Sequence, residues 1–293
     1  MGLNREYLGL EFPPTIHEVT EESVRQYAHA YGSSNVLYYN GTMAPPIYAV
    51  VYELPMLEKV WCDEGLHGGI EQMKRNVLML VHGEQQMRFY KPIKPGNKIT
   101  ARAKVKEMED KGSGELVVLN VTSTDESGEK VVESDWGIFI RGAGSGQKPQ
   151  QKKEVKKEQT PQIGGESQPI FRKVIRVDKD ITYRYAEASG DRNPIHIDEK
   201  VAKAAGLNGI IVHGLCTMAM TMGAVVNCYL DGDPSKITEF GVRFASPVYP
   251  GDVLIAEGWE MGKQNGTTTL GVEVKRHEDS IKVIRNGMVK AEI

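Results

Sequence analysis

The chain has 293 residues, with 36 Lys and Arg against 39 Asp and Glu and a net charge of −3. That length suits two units of about 100–150 residues, and the near-neutral balance gives no electrostatic case for nucleic acid or an anionic membrane. No apolar run reaches the roughly 18 residues of a membrane span, and three scattered cysteines without CxxC spacing argue against a disulfide framework or a structural zinc site.

The chain opens "MGLNREYLGLEFPP", with acidic residues where a secretory leader would be apolar, so a cytoplasmic protein is expected. Arg5 and Glu6 do not fit a myristoylation pattern. Residues 19–35, "VTEESVRQYAHAYGSSN", have a polar cap, helical spacing and a glycine stop at Gly32. An apolar helix is expected over 47–61, "IYAVVYELPMLEKVW". After a longer stretch, "EQQMRFYKPIKPGN" (84–97) reads as a strand broken by a Pro-Gly turn. Strand-like segments follow at 98–108, 115–124 and 130–140, the last two separated by "DESG".

Composition then changes. Residues 142–168, "GAGSGQKPQQKKEVKKEQTPQIGGESQ", have almost no apolar side chains and read as a flexible linker between units 1–141 and 169–293. Beyond it the pattern returns. "VDKDITYRYAEASGDRN" (177–193) repeats 19–35 at an offset of 158, and "EFGVRFASPVYPGD" (239–252) repeats 84–97 at an offset of 155. The second apolar helix, 215–230, "LCTMAMTMGAVVNCYL", has no polar face and should be buried on most sides, with Cys216 and Cys228 as small core residues. Strands are expected at 253–260, 267–275 and 281–293. The pattern is α+β with a duplicated unit of short helix, loop, apolar helix and antiparallel sheet.

Only the second copy of the loop carries an acid and a base at the matched positions. At the offset of 158, Asp191 falls opposite Ser33, Asn193 opposite Asn35, and His196 opposite Tyr38. His accepts and donates protons near neutral pH, and a neighbouring Asp can hold a water or stabilise imidazolium. Asn193 can orient the pair, while Pro194 stiffens the turn and pushes Asn193 toward an extended conformation. Downstream, "GIIVHGLCTM" (209–218) sets Gly214 at the start of the buried helix, where its N–H could donate to a carbonyl becoming an enolate. His213 reads as packing at the helix start. His82, in "LVHGEQ", looks like the second-half motif, but the Pro-Gly register puts it on a strand and gives it a structural role. Arg243 has a counterpart in Arg88, which also favours structure.

"YRYAEASGDRNPIHID" followed by "GIIVHGLCTM" resembles the signature of the MaoC-like (R)-specific enoyl-CoA hydratases, or type-2 enoyl hydratases. The resemblance covers the second half well, including "SPVYPGD", and the first half is similar to the family's degenerate N-terminal unit. It implies a double hot-dog fold, two tandem repeats each wrapping a sheet around a helix. Residues 1–141 would bind the acyl chain, and 169–293 would be catalytic. Asp191 and His196 would exchange protons with a bound water and the substrate α-carbon, Asn193 would orient water or substrate, and the Gly214 N–H would polarise the thioester carbonyl. The substrate would be an enoyl thioester of CoA or acyl carrier protein. No cofactor is implied. No metal is expected either, because no third firm ligand is spaced to join Asp191 and His196. The resemblance leaves room for a homodimer of double hot dogs.

Two other readings stay open. A hot-dog thioesterase needs an acid or nucleophile on its helix, and "TMAMTMGAVV" offers none. A noncatalytic acyl-thioester-binding protein would keep the tunnel without acid and base, against which Asp191 and His196 argue.

Overall fold

The structure, a computed structural model, describes residues 2–146 and 168–293. Its first half runs β1 (Thr15–Glu18), α1 (Glu21–Ala30), α2 (Val36–Tyr39), α3 (Val50–Trp61), α4 (Glu64–His67) and α5 (Ile70–Leu78). Four longer strands follow: β2 (Leu80–Phe89), β3 (Lys98–Asp110), β4 (Gly114–Thr124) and β5 (Lys130–Arg141). The second half runs β6 (Phe171–Arg176), α6 (Ile181–Ser189), α7 (Glu199–Ala204) and α8 (Gly214–Tyr229). Its strands are β7 (Ile237–Phe244), β8 (Val253–Gln264), β9 (Thr267–Arg276) and β10 (Lys282–Glu292). Apart from residues 142–146 and 168, the expected linker lies outside the described residues.

The described strands form one antiparallel sheet in the order β1-β3-β4-β5-β2-β7-β10-β9-β8-β6. The halves join where β2 pairs with β7, Glu84 opposite Arg243 and Arg88 opposite Glu239. Joining this way removes one open edge from each half, leaving only the short strands β1 and β6 at the margins. Strand β4 is buried on every second residue from Val117 onward (Val117, Leu119, Val121, Ser123), as a half-covered strand requires.

The repeat is visible in matched hydrogen bonds. Gly96 N–H donates to Val19 O at 2.7 Å, and Gly251 N–H to Val177 O at 3.0 Å. These glycines have φ of +91° and +94°, so both Pro-Gly turns need a residue without a Cβ strain penalty. Helices α1 and α6 face one another, and the Tyr27 and Tyr185 hydroxyls meet at 3.0 Å across 158 residues of chain.

Helix α8 has 11 of its 16 residues buried, enough to surround it, as its apolar composition demands and as the hot-dog arrangement expects. Its burial ends at Val226. Cys216 is in the core, but Cys228 is exposed, which corrects its expected core placement: the last turn of the helix stands outside the packed interior. Among the described residues no helix is long and apolar enough to cross a membrane.

Candidate active site

The polar loop after α6 is shaped by its own side chains. Gly190 takes a left-handed conformation (φ +81°) that ends the helix. The Ser189 hydroxyl donates to Tyr185 O at 2.6 Å and accepts from the Asp191 amide at 3.2 Å. Asp191 Oδ1 accepts from the Asn193 amide at 3.2 Å, and Asn193 Oδ1 from the Ile195 amide at 3.3 Å. Pro194 then starts a single 3-10 turn ending at His196. Asp198 is a helix cap: its Oδ1 accepts from the Lys200 and Val201 amides at the start of α7.

His196 is buried at 7% exposure. Its Nδ1 lies 2.8 Å from Ile211 O. A carbonyl can only accept, so Nδ1 carries the proton and Nε2 keeps a lone pair. Burial pushes the imidazole pKa below its ordinary value, while the Asp191 carboxylate opposes that shift. Near neutral pH His196 is therefore a neutral base with one free nitrogen.

His213 completes the cluster. Its ring stacks on His196 with centroids 3.8 Å apart, and its Nε2 donates to Asp191 O at 3.0 Å. It also lies 5.0 Å from the Tyr185 ring. Burial, and then His196 itself, holds its pKa well below the usual range. The expected packing role is present, but the same side chain also ties the Asp191 backbone to the start of α8.

Gly214 is the first residue of α8, where amides have no carbonyl partner within the helix, and no side chain caps this end. A Cβ here would lie 3.2 Å from the Phe244 ring, so glycine admits that ring against the main chain.

The first half shows which parts of the loop are shape. Ser33 Oγ accepts from the Asn35 amide at 3.3 Å, and Asn35 Oδ1 from the Leu37 amide at 3.0 Å. These reproduce the Asp191–Asn193 and Asn193–Ile195 bonds one for one. The exposed Asn193 thus has the same turn-holding bond as Asn35. Tyr38, 3% exposed, fills the place of His196.

One neighbour was not legible beforehand. His82, at the start of β2, stacks on Trp136 with centroids 5.0 Å apart and planes 11° from parallel. Its edge meets Phe244, also at 5.0 Å. Burial lowers its pKa to about 4, and the Asp191 carboxylate pulls against that shift, so the two groups feel one another. The strand register is as expected, yet a first-half strand reaches the second-half site because β2 pairs with β7. No short motif announces that contact.

The argument against a third metal ligand is also corrected. Asp191, His196 and His213 each bring a potential ligand atom within 4.8 Å of the others. Helix α8 places His213 there from 17 residues downstream, which spacing along the loop does not reveal. One nitrogen of each ring is already committed to a backbone carbonyl.

Residues 150–281 match the family described as MaoC like domain, and residues 17–142 match the MFE-2 hydratase 2 N-terminal domain. A Dictyostelium discoideum protein named probable enoyl-CoA hydratase 2 is 28% identical over 97% of this chain and 95% of its own. The Arabidopsis thaliana protein named enoyl-CoA hydratase 2, peroxisomal, is 30% identical over 74% of this chain and 69% of its own. Among solved structures, a MaoC-like dehydratase from Phytophthora capsici superposes with a TM-score of 0.78 at 25% identity, covering 98% of this chain and 96% of that one. A Mycobacterium tuberculosis protein described as a double hotdog fold superposes at 0.59 and 14% identity, covering 97% of this chain and 96% of that one, and shows the fold alone. With the sheet, the buried helix and the loop pattern agreeing along both halves, the chain belongs to the MaoC-like enoyl-CoA hydratase 2 family and has its double hot-dog fold.

Proposed function

We propose that this chain adds water reversibly to a trans-2-enoyl thioester of CoA or acyl carrier protein, giving the (R)-3-hydroxyacyl thioester. The observation that carries the reading is the pinned tautomer of His196: Nδ1–H is held by Ile211 O, leaving a bare Nε2 on a ring clustered with the Asp191 carboxylate. The names of the relatives support it.

In the hydration direction Asp191 and His196 hold a water against the substrate β-carbon. The water oxygen bonds to that carbon while His196 Nε2 takes a water proton. The π pair moves through the α-carbon onto the thioester oxygen, where the Gly214 N–H at the open end of α8 stabilises the enolate. Imidazolium, stabilised by Asp191, returns the proton to the α-carbon, so the protonation of the protein is unchanged over the cycle. Asn193 holds the turn through Oδ1 and keeps Nδ2 for water or substrate. No metal or cofactor takes part. Residues 1–141 contribute walls for the acyl chain and no acid or base.

Mixing the protein with crotonyl-CoA and following the conjugated thioester absorbance tests the reading. Loss of absorbance without release of free thiol supports it, while thiol release favours a thioesterase.

A further inference from the structure

The described contacts form a chain from the buried helix of the first half to the site of the second. Glu53 on α3 accepts from Trp136 Nε1 and from the Ser134 hydroxyl, each at 2.8 Å. The Trp136 ring stacks on His82, the His82 ring edges onto Phe244, and the Phe244 ring packs at the Gly214 main chain. His82 is not held by stacking alone. Its Nε2 lies 3.1 Å from Glu84 O and 3.0 Å from Gln85 Oε1, and since the carbonyl accepts, Nε2 carries the proton. Gln85 is buried at 1% exposure, which fixes the anchor. The strand irregularity that aims the ring is also local. The β2–β5 register slips between His82 and Glu84, and a bulge of this kind turns a side chain out of strict alternation.

We propose that His82 is a positioning residue of the Asp191–His196–Gly214 site, its anchored ring holding Phe244 against Gly214 so that the thioester carbonyl meets the Gly214 amide. The proposal rests on the hydratase reading and extends it: the first half supplies part of the site, not only a surface for the acyl chain. The anchor separates this role from plain packing. A phenylalanine at 82 would stack between Trp136 and Phe244 but could not bond to Gln85 and Glu84, so its ring would be free to shift.

The test compares wild type with His82→Phe, Gln85→Met and the double variant, using crotonyl-CoA and checking each by thermal melting. The expected result is a kcat about tenfold lower for each single variant, with KM within threefold and the double variant no slower than the worse single one. Wild-type kcat in His82→Phe, or losses that multiply in the double variant, would overturn the proposal. A second measurement does not depend on turnover. In Asp191→Asn protein, the His82 imidazole 1H–15N signals should move when (R)-3-hydroxybutyryl-CoA binds, and unmoved signals on saturation would also overturn it. A wild type that binds thioester and moves these signals yet never hydrates would instead sink the hydratase reading and leave the position of His82 standing.

Discussion

The imidazole of His213 lies on that of His196, ring centroids 3.8 Å apart and planes 28° from parallel. Two imidazolium ions could not share so small a buried space, since like charges a few ångströms apart in a low-dielectric site repel strongly. Burial holds both pKa values down, and His196 adds to the effect on His213; each ring spends one N–H on a backbone carbonyl. The Ile211 carbonyl fixes the tautomer of His196 and burial keeps it neutral, the state a base needs.

Removing the acid–base pair should stop the chemistry without unfolding the protein. Asp191→Asn and His196→Ala are each expected to lower kcat by about 10²–10⁴-fold. Tyr38→Phe, at the matching place in the first half, should leave kcat within about twofold. Steady-state rates with crotonyl-CoA, with melting curves as a folding check, decide it. An active His196→Ala protein would contradict the assignment.

The pH profile follows from the same burial. As pH falls, His196 Nε2 takes a proton and ceases to be a base. Because burial lowers that pKa, the acid limb of kcat should lie below about 6.5, the ordinary value for histidine. A profile already half lost at pH 7 on its acid side would mean that another group titrates.

Gly214→Ala tests the main-chain donor. The added methyl meets the Phe244 ring at 3.2 Å, tight enough that ring or helix start must give way. The expected effect is on kcat, about tenfold or more, since a donor to a developing oxyanion acts mainly in the transition state. A change confined to KM would place Gly214 in ground-state binding instead.

Much of this was legible in the chain. Gly96 and Gly251, Asn35 and Asn193, and Tyr27 and Tyr185 repeat at fixed offsets; the glycines and the asparagines make matching bonds, and the two tyrosines bond to each other. What the sequence hid came from pairing and packing. His82 joins the site only because β2 lies beside β7, and His213 reaches Asp191 only because α8 starts beside the loop. Of the marginal strands, β1 has only four residues, and β6 is mostly exposed without alternation. Helix α5 has helical spacing in Ile70, Met73, Val77 and Leu78, yet Ile70 and Leu78 are exposed, so that spacing does not mark a core element.

Glu53 should leave a mark on stability. It is fully buried, bonds only to neutral donors, and burial raises its pKa to about 7. Its folded pKa is above its unfolded one, so its contribution is complete below about 4.5 and is lost as pH rises toward 7. Glu53→Gln has no such loss. Relative to wild type the variant should gain stability between pH 4.5 and 7, by up to about 3 kcal/mol. Thermal melts at both ends of that range would show it, and a difference independent of pH would contradict it.

Dialysis against EDTA should leave activity unchanged, because the base, the carboxylate that stabilises its imidazolium and the oxyanion donor are all supplied by the chain. Activity lost on dialysis and restored by a divalent cation would instead assign the Asp191–His196–His213 cluster to metal binding.

The central claim is hydration at the armed loop of the second half. Its most direct measurement is the conversion of crotonyl-CoA by wild type and by Asp191→Asn, with the configuration of the product determined. The account predicts (R)-3-hydroxybutyryl-CoA from wild type and essentially none from the variant. Free CoA, the (S) product, or equal turnover by the two proteins would contradict it.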